Sequence, residues 1–201
     1  MIDMPYTLTL VAIILGYSWA VEPLVEVRGL WRVVPVVLGI GVCVAHNLKS
    51  GDWGFSRRAF WPALLWSTVL TIPIVVALWF IGHAMGPAPI RRAPLLDFLY
   101  VVAWGGGQQF ALQTVVFRES RAVAGRGAVI VAAAIFASLH LPNPFLMLVT
   151  FTGGLVWCGI YARRPNIFPL ALSHAAATVV ILMSFDPAIT GGLRTGWHYF
   201  R

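Results

Sequence analysis

Seven apolar stretches joined by short polar connections govern what this chain can become. They run over residues 6–21, 33–48, 60–82, 98–117, 127–141, 145–162 and 167–185. One soluble core cannot absorb that much apolar surface. Of the 201 residues, 59% are hydrophobic and 10% are charged, whereas an ordinary soluble domain carries about 25% charged residues. Backbone polar groups cannot stay open in lipid, so the stretches must be helices. No stretch alternates apolar and polar residues with period two, which excludes a barrel. The chain therefore reads as an all-α, polytopic membrane helix bundle of about seven (roughly six to eight) transmembrane helices. Stretches shorter than the roughly 20 residues that cross hydrocarbon are extended by flanking Trp and Arg or are half-buried.

Charge fits the same picture. The net charge of +7 comes from dispersed pairs such as Arg57-Arg58, Arg91-Arg92 and Arg163-Arg164. Such pairs flank spans and meet anionic lipid, and they do not form a nucleic-acid surface. Seven spans would place Lys49, Arg57, Arg58, Arg118, Arg121, Arg126, Arg163 and Arg164 on one face. Arg28, Arg32, Arg91, Arg92, Arg194 and Arg201 fall on the other, which favours a cytoplasmic N-terminus. No basic region precedes the first stretch, so it reads as a span and not as a signal peptide. Cys43 and Cys158 lie inside apolar runs and read as buried structural thiols, with no metal site and no cofactor implied. Three parts follow: N-terminal spans over 1–97, a core over 98–186 that carries most intramembrane polar residues, and a short tail over 187–201.

Polar groups are costly at membrane depth and mark function by default. The fourth stretch holds Gln108, Gln109, Gln113 and Thr114. The fifth ends in Phe136-Ala137-Ser138-Leu139-His140, followed by Leu141, Pro142 and Asn143. The seventh holds Ser173, His174 and Thr178. Gln109 and Gln113 are four apart and share a helix face, as do His174 and Thr178. At 1.5 Å rise per residue, Gln109 lies about 12 Å, His174 about 10 Å and His140 about 20 Å from the face that carries Arg118. With tilted helices the three reach one buried layer, a candidate polar pocket. Gly105, Gly106 and Gly107 precede the glutamines and permit either close helix packing or a deformable entry for a substrate. Glu119, about 16 Å along the axis from Gln108 and next to Arg118 and Arg121, reads as a solvated interfacial ion pair.

These segments resemble the CAAX protease and bacteriocin-processing family, which includes the type II CAAX prenyl endopeptidases. Its motifs are EExxxR, FxxxH and HxxxN or HxxxD. Gln108-Gln109-Phe110-Ala111-Leu112-Gln113 occupies the first, Phe136 to His140 the second, and His174-Ala175-Ala176-Ala177-Thr178 the third. Gln113-Thr114-Val115-Val116-Phe117-Arg118 imitates the first motif in an alternative register. In active members a glutamate and histidines activate a water against a peptide carbonyl, while the later His and Asn hold the oxyanion. The resemblance implies catalytic places for His140, His174, Gln108 and Gln109. It implies substrate contacts for Gln113, Thr178, Asn143, Trp104 and Phe136. It also implies an integral, multi-pass protein of a bacterial cytoplasmic membrane, surrounded by lipid.

The departures are coordinated. Both glutamates are glutamine, the arginine is Gln113 and the asparagine is Thr178. An amide donates and accepts hydrogen bonds but does not ionise near neutrality, and losing a general base costs about 10²–10⁴ in rate. Three functions stay open. The first is a divergent intramembrane hydrolase on a membrane peptide with His140 or His174 as base. The second is a non-proteolytic enzyme that isomerises, cyclises or hydrates an isoprenoid or lipid, aided by aromatics such as Trp104 and Phe110. The third is an inactive scaffold that presents a membrane peptide to a protein partner. If the protease geometry survives, the combined Gln108→Glu, Gln109→Glu and Gln113→Arg variant gains cleavage of a prenylated peptide that the parent lacks, as measured by mass spectrometry of the products.

Overall fold

The computed structural model describes residues 4–24, 31, 33–86 and 94–201. Arg28, Arg32, Arg91 and Arg92, used above to orient the chain, lie outside the described residues. Among the described residues the secondary structure is helical, with a single isolated bridge between Phe55 and Asn166 and no strand. In chain order the helices are α1 (Pro5–Gly16), α2 (Val34–Ser50), α3 (Phe60–Met85), α4 (Pro94–Ala111), α5 (Phe117–Ala124), α6 (Ala128–Ser138), α7 (Pro144–Tyr161), α8 (Ile167–Ser184) and the short α9 (Pro187–Thr190). Wider π-helical turns extend α1 over Tyr17–Val21 and join α4 to α5 over Leu112–Val116.

The all-α expectation holds, and every apolar stretch falls on helix. Four helical runs are long and apolar enough to cross a membrane: Arg57–Met85, Phe98–Ser138, Pro144–Tyr161 and Ile167–Ser184. Pro5–Val21 and Val34–Ser50 are shorter apolar helices. The fourth and fifth stretches share the run Phe98–Ser138, which turns back at Gly125 (φ +52°) so that α5 and α6 pack as a hairpin. Helix α3 shows which solvent the chain is built for. Its buried positions are Ala63, Ser67, Thr71 and Gly82, while Trp61 is 73% and Phe80 is 69% exposed. Water would reverse that choice; lipid rewards it. The protein is integral to a membrane.

The chain divides into two compact units. One comprises Met1–Trp53, Phe110–Cys158 and Leu193–Arg201; the other comprises Gly54–Gln109 and Gly159–Gly192. In the second unit α3 runs along α8. Small residues allow the approach: a Cβ on Gly82 would stand 2.6 Å from the Ser184 carbonyl oxygen. The hydroxyls of Thr71 and Ser173 meet at 2.6 Å across the same seam. Asn166 starts α8 by accepting from the Phe168 amide at 3.0 Å and donates to the Ser56 carbonyl at 2.9 Å. The Ile167 amide adds a bond to the Gly54 carbonyl at 3.1 Å, so the start of α8 is pinned to the loop before α3.

In the first unit the polar bonds join elements distant in sequence. Asn47 at the end of α2 donates to Thr114 at 2.9 Å, and Arg118 pairs with Asp52 at 2.7 Å. Glu119 corrects the reading of a solvated ion pair. It is buried, and its carboxylate accepts the Tyr6 and Thr7 amides at 3.2 and 2.7 Å. It thereby satisfies open donors at the start of α1, where the helix dipole favours a negative charge. Helices α6 and α7 touch where a Cβ on Gly154 would lie 3.0 Å from Ala133. Gly82→Ala is expected to destabilise the protein by about 1–3 kcal/mol through overpacking. Gly41→Ala, inside α2 with no atom within 4 Å of the added carbon, is the sterically open control and should keep or slightly raise stability; thermal unfolding in detergent micelles compares the two.

Candidate active-site residues

Helix α4 carries the glutamine pair on its last turn. Gln109 is fully buried, whereas Gln108 is half-buried and Trp104 is 49% exposed. The buried amide reaches α8, with Gln109 Nε2 standing 3.4 Å from His174 Nδ1. An amide nitrogen only donates, so His174 Nδ1 accepts, and the proton of the neutral imidazole sits on Nε2. Gly105, one turn before Gln109, makes the approach possible: a Cβ there would lie 3.3 Å from Cγ and Nδ1 of His174. Gly106 faces Ala171 at a comfortable 3.8 Å and Gly107 meets nothing within 4 Å. Of the two readings of the glycine run, close packing is the one realised at Gly105. Ser173, beside His174, turns to Thr71 of α3 and anchors α8 from another side. Thr178, one turn beyond His174, is half-buried.

The remaining candidates belong to the other unit. Gln113 is fully buried in the π-helical turn Leu112–Val116, and its side chain hydrogen-bonds the thiol of Cys158 on α7. Phe136 is buried near the end of α6. Its ring stands edge-on to the His140 imidazole at 4.9 Å and to Trp157 at 6.3 Å. His140 follows α6 in a tight turn, half-buried, with Nδ1 2.7 Å from the Phe136 carbonyl oxygen. A carbonyl only accepts, so Nδ1 carries the proton and Nε2 keeps the lone pair. With both rings neutral, these contacts correspond to opposite tautomers.

Asn143 is fully buried and engaged at both ends of its amide. Oδ1 accepts from the Leu146 amide at 3.0 Å and starts α7, with Pro144 at the first helical position. Nδ2 donates to the Arg194 carbonyl at 3.0 Å. Among the described residues no group of three or more His, Cys, Asp or Glu is placed to hold a metal ion.

Residues 95–180 match a family model described as type II CAAX prenyl endopeptidase Rce1-like. Over that stretch the chain is similar to that family. The matched region takes in Gln108, Gln109, Gln113, His140, Asn143, His174 and Thr178, so the motif positions read from the sequence all lie within it. No curated protein and no solved structure matches the chain.

Two parts of this arrangement escaped the sequence reading. Gly105 shapes the His174 environment; its spacing of four from Gln109 was the available signal. The short C-terminal tail packs through Gly196 and the aromatic run 197–200, and that glycine and those rings were the available signal. Gly105→Ala should push the His174 ring by a few tenths of an ångström and shift its ring resonances in NMR of ¹⁵N-histidine-labelled protein. Gly107→Ala should leave them in place.

Proposed function

We propose that this protein is a divergent membrane-embedded enzyme of the CAAX-protease-like family in which acid–base work falls to histidine instead of glutamate. The observation that carries this reading is the hydrogen bond from Gln109 Nε2 to His174 Nδ1. At a position where the family's motif has a carboxylate, a neutral amide fills the role of ring partner. A carboxylate there could take a proton; the amide can only orient the ring. With the ring neutral, that contact corresponds to a proton on His174 Nε2. His140, in the other unit, is the candidate base. Its Nδ1–H is held by the Phe136 carbonyl, and its Nε2 lone pair can accept a proton.

The substrate class follows from the setting. Gln109 and His174 lie on apolar helices and His140 in the turn that follows one, and the matching family model describes prenyl endopeptidases. A lipid-borne substrate with a polar reacting end, such as a prenylated peptide or an isoprenoid, meets both conditions. Glutamate-based proteolysis is not retained in this reading, because Gln108 and Gln109 cannot ionise as bases.

Assay of the purified protein in lipid nanodiscs against prenylated peptides and polyprenyl lipids tests the reading. Turnover of one of these substrates should fall by about 10²–10⁴ in His140→Ala. No turnover of any of them, or turnover that survives His140→Ala, would overturn it.

A further inference from the structure

We infer that the C-terminal segment 193–201 is a positioning element for His140, acting through Asn143 and Gly196. The inference rests on the reading of His140 as the basic residue, but the geometry stands independently of turnover. His140 sits in a turn closed by its own backbone: its amide donates to Ala137 at 2.9 Å and its carbonyl accepts from Asn143 at 3.1 Å. Those bonds shape the turn but do not fix its far side. The C-terminal segment does so at two points. The Gly196 amide donates to the Leu141 carbonyl at 2.8 Å, and Asn143 Nδ2 donates to the Arg194 carbonyl at 3.0 Å. The two residues so held lie immediately and three positions after His140.

The segment is itself anchored. His198 Nε2 donates to Glu22 Oε1 at 2.9 Å, and the Phe200 ring meets Trp19 edge-on with centroids 6.2 Å apart. Both partners lie at the end of the first apolar helix, so the segment bridges that helix and the His140 turn within one unit. Gly196 is the residue the bridge cannot replace. Its φ of +57° is left-handed, and a Cβ would stand 2.6 Å from Ser18 Cβ and 2.8 Å from the Ser18 carbonyl oxygen. A side chain there would lift the segment from Ser18 and draw its amide away from Leu141. Loss of the bridge leaves the His140 ring held by Phe136 and the turn held only by its own backbone bonds and the Asn143 cap of α7, which lets its far side open more often.

The test is carbethoxylation of histidines in micelles, read residue by residue by mass spectrometry, with His174 as internal reference. Asn143→Asp keeps the acceptor that starts α7 but removes the donor to Arg194. His198→Gln weakens the anchor to Glu22 without touching the turn. Gly196→Ala removes the fit against Ser18. Each should speed modification of His140 relative to His174 by about fivefold, the population change that one lost hydrogen bond brings. The His140 Nδ1–H resonance should broaden in parallel. Unchanged His140 reactivity in all variants that fold overturns the proposal, as does an equal rise at both histidines. If Gly196→Ala does not fold, the other two variants decide. A positive result with no turnover in any assay would leave the positioning role standing and remove the enzymatic reading.

Discussion

Polar groups buried in this chain can be answered only by another part of the chain, because its surroundings are lipid and not water. That constraint explains where the helices touch. Thr71 meets Ser173, Asn47 meets Thr114, Gln109 meets His174 and Glu119 meets the open amides of α1. Between these contacts the seams are lined by Gly and Ala, which bring backbones close enough for short side chains to reach. Along α3 the large apolar residues are left for the outside.

The same constraint gives meaning to glutamine in place of glutamate. A carboxylate buried among helices must be neutralised by a cation or a proton, and the family's arginine position is consistent with that need. In the proposed reading, glutamine at both glutamate positions and at the arginine position removes the charges together and keeps the hydrogen-bonding capacity. Gln109 still orients His174, and Gln113 still finds a partner in Cys158. What is lost is proton affinity, and what remains near neutrality is imidazole. The two histidines are held as opposite tautomers by an amide donor in one case and a carbonyl acceptor in the other.

Much of this was legible in the sequence, for identifiable reasons. Apolar length reports helices in lipid directly, so all seven stretches fall on helix. Matched depths for Gln109 and His174 anticipated their contact, because depth along a helix is a local property. Partner identity across long separations is not local. Glu119 reads as a solvated surface charge until α1 is seen to begin against it, 112 residues away in sequence. Nothing local in the sequence reveals that the Asn143 amide serves α7 and the C-terminal segment. The π-helical turn that holds Gln113 and Thr114 has no distinctive residue pattern, and a spacing of four does not reveal that Gln109 answers to α8 and Gln113 to α7.

The central claim is that amide-for-carboxylate replacement leaves two neutral imidazoles with opposite, fixed protons. Solid-state ¹⁵N NMR of histidine-labelled protein in lipid bilayers at neutral pH measures this directly. The account predicts a proton on Nδ1 of His140 and on Nε2 of His174, assigned by loss of each signal in His140→Gln and His174→Gln. The same tautomer at both residues, or a doubly protonated ring at either, would contradict it.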